Sequence, residues 1–140
     1  MGLAHARWLE ALSRIGTPDF TEQDVKVLSR SFRAIYSFIG LDKQTRYSGG
    51  FILITQRSSR CSFFEEAWVI FKFSFFLQAL RRLSRKDYLI WKAYYIWKLS
   101  MLEIYREFIR RRGSIENGES IVSRRLSNIR KKLAGILRGE

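Results

Sequence analysis

A regular spacing of apolar residues by three and four positions is the feature that most restricts the fold of this chain. Within residues 84–113 it runs through Ile90, Tyr94, Trp97, Met101, Ile104 and Phe108. These steps place side chains on one face of an α-helix, whereas a strand would bring every second residue to a common face. The stretch is therefore predicted to be a helix whose aromatic side chains mostly pack inside the protein, with a second apolar stripe beside the first.

The same spacing recurs elsewhere and predicts an all-α fold. The other segments with this spacing are residues 3–15, 21–39, 63–83 and 119–138. Thr21 has the position of an N-cap, and Phe20 with Val25 has the spacing of a hydrophobic staple. Ser62 and Glu65 are spaced as a capping box at the next helix start. We expect a compact bundle of four to five helices with the two aromatic-rich segments at its centre.

Residues 41–62 interrupt the helical pattern. Gly49 and Gly50 precede a β-favouring run, residues 51–55, and a polar, basic stretch follows. This composition predicts one irregular loop or a short strand. Since a lone strand leaves backbone groups unpaired, such a strand would pair within the chain or with another chain.

The chain is expected to form one domain over residues 1–140, because its length and its 46% apolar content suit a single core. Three parts are predicted within this domain. They are an N-terminal helical pair (1–40), a basic loop (41–62), and aromatic core helices with a basic C-terminal helix (63–140).

A large excess of positive charge indicates the class of partner. The chain has 26 Lys and Arg against 13 Asp and Glu, a net charge of +13. The positive electrostatic potential of such a protein attracts polyanions. The candidate contacts form four sets: a loop group (Lys43, Arg46, Arg57, Arg60), a junction group (Arg81, Arg82, Arg85, Lys86), an arginine run (Arg110, Arg111, Arg112) and a C-terminal group (Arg124, Arg125, Lys131, Lys132).

Arginine predominates in these groups, and its planar guanidinium can donate two parallel hydrogen bonds to the oxygens of one phosphate. No zinc finger, RNP-like aromatic sequence or recognition-helix turn is found. The sequence therefore predicts nonspecific binding to the phosphate backbone of DNA or RNA, in a structural role. We expect a coat protein, a nucleoprotein or a small subunit of a nucleoprotein assembly, present as a homo-oligomer or within a larger complex.

Two alternatives use the same charge. One is a peripheral membrane or viral-matrix-like protein that binds anionic lipid, with Trp8 or exposed tyrosines as interfacial anchors. The other is a basic inhibitor or adaptor that docks on an acidic protein.

Enzymatic activity is not expected. His5 has no second His or Cys nearby to share a metal, and Cys61 has no neighbouring general base. Neither a metal nor a cofactor is predicted. His5 and Cys61 lack the partners that a metal site needs, and no glycine-rich phosphate-binding loop occurs.

The expected location is intracellular or within a virion. One cysteine excludes an intrachain disulfide, and charged residues near the N-terminus do not suit a signal peptide. No transmembrane helix is predicted, because Lys72 interrupts the longest apolar run. Lys72 itself is expected to reach solvent, a carboxylate of another helix, or a partner.

Overall fold

The computed structural model describes residues 3–39, 63–109 and 117–139. These residues form seven α-helices and one π-helical turn and contain no strand, which confirms the all-α fold. The elements are α1 (Leu3–Arg14), α2 (Glu22–Arg30), α3 (Phe32–Phe38), α4 (Phe63–Arg81), α5 (Arg85–Tyr95), α6 (Met101–Ile104), the π-turn (Tyr105–Ile109) and α7 (Gly118–Leu137). The predicted loop or strand at 41–62 lies outside the described residues.

Helix α7 packs against much of the described fold. It packs against α2, α4, α5, α6 and the π-turn. Its inward face is the predicted apolar stripe, in which Val122, Leu126, Ile129 and Leu133 are buried. The side chain of Asn117 caps the helix by accepting a hydrogen bond from the backbone of Ser120.

The start of α2 has the predicted cap. Thr21 Oγ1 accepts from the Asp24 amide at 3.4 Å, and Asp24 Oδ2 accepts from the Thr21 amide at 3.0 Å. Phe20 and Val25 are fully buried, as the hydrophobic staple requires. Arg14 also donates to Asp24 at 2.7 Å, so this cap ties the end of α1 to α2. The predicted helix over 21–39 is divided at Ser31 into α2 and α3.

The prediction of one continuous helix through residues 84–113 is wrong. Helix α5 ends at Tyr95, and Lys98 has a positive φ of 58°. A capping box then starts α6: the Glu103 amide donates to Ser100 Oγ at 3.1 Å, and the Ser100 amide donates to Glu103 Oε1 at 3.0 Å. Because the helix breaks here, Trp97 is 46% exposed although its spacing predicts burial.

The prediction that this aromatic-rich segment lies at the centre of the bundle holds for only one of the two apolar faces of α4. Val69, Phe73 and Phe76 are fully buried. The opposite aromatic stripe, formed by Trp68, Phe71 and Phe75, is exposed by 36%, 58% and 38%. Among the described elements α4 packs chiefly against α1 and α7, which cover only its inner face.

Candidate polyanion-binding surface

The junction group lies where the chain turns from α4 into α5. Helix α4 ends at Arg81 and α5 begins at Arg85, so four cations lie within six residues at this junction. Ser84 holds this turn in place, because its hydroxyl accepts a hydrogen bond from the Asp87 amide at 3.2 Å. Arg81, Arg82, Arg85 and Lys86 are all exposed. Within the described residues none of the four has a carboxylate partner.

Three members of the C-terminal group lie on the outer surface of α7. Arg124, Lys131 and Lys132 are exposed and form no ion pair with any residue in the described ranges. Arg124 and Lys131 are seven positions apart, which places them on the same side of the helix about 10 Å from each other. The burial of the opposite face directs these side chains towards solvent.

Arg125 differs from its neighbours because it is bonded within the protein. Its Nε donates to Asp87 Oδ1 at 2.7 Å, and the two side chains are 36% and 19% exposed. This ion pair holds the first turn of α5 against the middle of α7. It reduces the charge that Arg125 can offer to a partner.

The same ion pair brings the junction group and the C-terminal group together. Asp87 directly follows Lys86, and Arg125 directly follows Arg124. Further along the two helices, Arg130 Nη1 donates to the Tyr95 hydroxyl at 3.2 Å. From the first contact to the second, the residue numbers increase along both helices, so α5 and α7 lie side by side. Seven exposed cations thus lie at the junction of α4 with α5 and on the adjacent α7. We call this set the basic surface: Arg81, Arg82, Arg85, Lys86, Arg124, Lys131 and Lys132.

Carboxylates of the described residues neutralise little of this charge. The ion pairs in the described part of the chain join Arg14 to Glu10 and Asp24, and Arg125 to Asp87. None of them involves a member of the basic surface. A cluster of one sign of charge without counterions among the described residues raises the local concentration of anions.

The remaining predicted contacts cannot be placed on this surface. The loop group (Lys43, Arg46, Arg57, Arg60) and the arginine run (Arg110, Arg111, Arg112) lie outside the described residues.

The structure answers the question of Lys72. Its Nζ donates to the backbone carbonyl of Ile15 at 3.0 Å, just after the end of α1. The predicted carboxylate of another helix is not the acceptor, because Lys72 donates to a backbone carbonyl instead. Carbonyls near a helix C-terminus attract cations, so this contact joins α4 to α1.

Trp8 is buried at 3% exposure, and its ring packs edge-on against Phe38 at 5.4 Å between centroids. The prediction that Trp8 serves as a membrane anchor is therefore wrong. Among the described residues, the large aromatic side chains that are exposed lie on α4 and at Trp97.

A cleft between α3, α4 and α5 was not predicted from the sequence. It has a volume of about 960 Å³ and combines an apolar floor with cations at its edge, among them Arg33, Arg81 and Arg85. Arg33 is far from the junction group in sequence, and no local spacing signals that they meet.

The described residues contain no group of three or more His, Cys, Asp or Glu side chains that could hold a metal ion. None of the described helices is both long and apolar enough to cross a membrane. Comparisons with protein-family models, curated proteins and solved structures found no match.

Proposed function

We propose that this chain is a structural, sequence-nonspecific nucleic-acid-binding protein that contacts the phosphate backbone through the basic surface. The observation that carries the proposal is the presence of seven exposed cations without carboxylate partners among the described residues. They lie at the junction of α4 with α5 and on α7, which the Arg125–Asp87 pair holds against α5. Four of the seven are arginines, whose guanidinium groups bind phosphate oxygens bidentately.

The dimensions of α7 agree with this role. Its 20 residues extend over about 30 Å, close to the length of one turn of duplex nucleic acid. Cations at intervals along one side could contact several phosphates at once. Backbone contacts carry no sequence information, so binding to DNA or RNA is expected to tolerate any sequence and to weaken with salt.

An assembly of several copies is part of the proposal. The exposed aromatic stripe on α4 is an apolar surface of the kind that mediates protein contacts. A coat or nucleoprotein would use such a surface between copies while the basic surface holds the nucleic acid.

One observation favours a second candidate, binding to anionic membranes. The aromatic stripe shares α4 with Arg81 at its C-terminal end, and Trp side chains flanked by cations are typical of proteins that bind the lipid interface. In this candidate Trp68, Phe71 and Phe75 would insert among the headgroups while the junction group contacts anionic lipid.

A binding panel distinguishes the two candidates. Fluorescence anisotropy with duplex DNA and single-stranded RNA, and cosedimentation with phosphatidylserine-containing vesicles, would be carried out at about 50 and about 300 mM salt. The proposed function requires binding to nucleic acid that falls steeply between these salt concentrations. Binding only to the vesicles would overturn it in favour of the membrane candidate.

Matched variants assign the binding to surfaces. Replacement of Trp68, Phe71 and Phe75 by Ser should leave nucleic-acid affinity within about twofold, because exposed side chains away from a contact contribute little. If this variant loses vesicle binding while it keeps its fold, the membrane candidate is supported. If it loses DNA binding instead, stacking rather than phosphate contact carries the affinity.

A further inference from the structure

The cleft between α3, α4 and α5 has the size and the form of a small-molecule site. Its volume of about 960 Å³ lies at the upper end of the range typical for ligand pockets. Phe32 and Tyr36 line it from α3, Leu77 and Leu80 from α4, and Trp91 from α5.

The buried lining of the cleft favours a ligand with an alkyl chain. Leu80, Leu83 and Trp91 line the cleft and are buried, and we call them its floor. The one polar atom of the Trp91 side chain is already used, because Nε1 donates to Ser29 Oγ at 2.9 Å. A nucleobase bound against this floor would leave its polar edge unsatisfied, which is unfavourable, whereas an alkyl chain would not.

The edge of the cleft carries only positive charge. Its described lining includes Arg33, Arg81, Arg85 and Lys92 and no carboxylate. Arg33 Nη2 donates to the carbonyl of Ile96 at 3.2 Å, which holds its guanidinium at the edge. Lys92 Nζ lies 5.9 Å from the Tyr88 ring centroid and 5.5 Å from that of Trp97, within the range of cation–π attraction.

Arg81 and Arg85 complete this edge. Both are exposed, and neither is bonded to another residue in the described ranges. Their donors are available to a ligand, and guanidinium groups bind a carboxylate with two parallel hydrogen bonds.

We propose that the cleft binds one monomeric medium-chain fatty-acid anion. The alkyl chain lies on the floor formed by Leu80, Leu83 and Trp91, and the carboxylate lies between the arginines of the edge. This inference is independent of nucleic-acid binding, since it depends on an apolar cavity that a phosphate backbone does not need. An opposite charge at the head and an apolar body match the edge and the floor respectively.

Calorimetric titration of the full chain with laurate, below its critical micelle concentration, tests the proposal. One laurate should bind per chain. Arg81→Gln with Arg85→Gln should weaken binding by about tenfold or more, because charge-assisted hydrogen bonds are lost. The control, Arg7→Gln with Lys26→Gln, removes the same charge from residues that do not line the cleft and should bind as the wild type does.

Two further measurements separate this site from general electrostatics. Dodecyltrimethylammonium, which has the same chain length and a cationic head, should bind at least about tenfold more weakly than laurate. Leu77→Trp should fill the cleft, lower laurate affinity and leave DNA binding unchanged. The exposed arginine variants provide the test if Leu77→Trp does not fold.

The proposal would be overturned if Arg81→Gln with Arg85→Gln bound laurate as tightly as the wild type. It would also be overturned if the cationic detergent bound as tightly as laurate. Failure to bind nucleic acid would not affect either result, so the two proposals can fail separately.

Discussion

The indole nitrogen of Trp91 illustrates how a single buried polar atom constrains the core. Trp91 and Ser29 are each 1% exposed, and the indole donates to the serine hydroxyl at 2.9 Å. The burial of Trp91 could be predicted from its place in an apolar stripe. Its partner could not, because Ser29 belongs to a distant helix and a serine in a helix gives no signal of this contact.

Ser29→Ala should therefore destabilise the protein. Removal of the hydroxyl leaves the indole N–H buried without an acceptor, at a cost of about 1–3 kcal/mol. Urea unfolding would measure the change. The exposed Ser123→Ala provides the control and should alter stability by less than about 0.5 kcal/mol. Equal stability of the two variants would show that the hydrogen bond contributes nothing.

Among the described residues, Glu103 has a carboxyl whose pKa is shifted by the fold. Hydrogen bonds from the backbone and then the side chain of Ser100, with a smaller effect of Arg106, lower the pKa of the Glu103 carboxyl. Since the pKa is lower in the folded state, the stabilisation is present above the usual glutamate pKa and is lost as the pH falls through the lowered one.

Ser100→Ala should raise the pKa of Glu103 towards its usual value. Carbon-detected NMR titration of the Glu103 carboxyl measures this directly, and Ser123→Ala should leave it in place. An unchanged pKa in Ser100→Ala would show that the serine side chain does not lower the pKa of the Glu103 carboxyl.

At the scale of elements, local start signals override periodicity. The apolar spacing from Ile90 to Phe108 is continuous in the sequence, yet the backbone leaves the helix after Tyr95. Ser100 and Glu103 have the spacing of a capping box, and this signal could have predicted the second start. The division of the chain at Ser31 carries no comparable signal, because the side chain of Ser31 forms no capping hydrogen bond.

The start of α7 depends on a glycine for a steric reason. A Cβ at Gly118 would lie 2.5 Å from both Cγ and Cδ2 of Tyr105, whose ring is buried. This contact joins the π-turn to α7. It explains why a poor helix former occupies the first helical position after the Asn117 cap.

Gly118→Ala should lower the free energy of unfolding by about 1–3 kcal/mol, because overpacking against Tyr105 outweighs the gain of up to about 1 kcal/mol in helix propensity. Thermal and urea unfolding would measure it. In a Tyr105→Ala background, which lacks Cγ and Cδ2, Gly118→Ala should cost less than it does in the wild type. A more stable Gly118→Ala protein would show that the ring moves aside without cost.

At the scale of the whole molecule, composition predicts an excess of positive charge but not its pairing. Arg124 and Arg125 are neighbours in sequence, yet Arg124 is exposed while Arg125 is bonded to Asp87. The helical class and the buried face of α7 follow from periodicity. The cleft and the contact between the junction and C-terminal groups do not, because both arise from tertiary packing of segments far apart in the chain.

The basic surface should determine how nucleic-acid affinity depends on salt. Each phosphate contact contributes about −0.9 to the slope of the logarithm of the duplex-DNA binding constant against the logarithm of salt concentration. Loss of three contacts should therefore reduce the steepness by roughly two to three. The variant for this purpose combines Arg124→Ala, Lys131→Ala and Lys132→Ala and leaves the Arg125–Asp87 pair intact.

The most direct test is this slope, measured for the wild type, the α7 variant and a control with equal charge loss, Arg7→Ala with Lys26→Ala and Arg30→Ala. We expect a steep slope for the wild type, a shallower one for the α7 variant, and a control close to the wild type. A wild-type slope near zero, or an equal reduction in the variant and the control, would contradict phosphate binding by the basic surface.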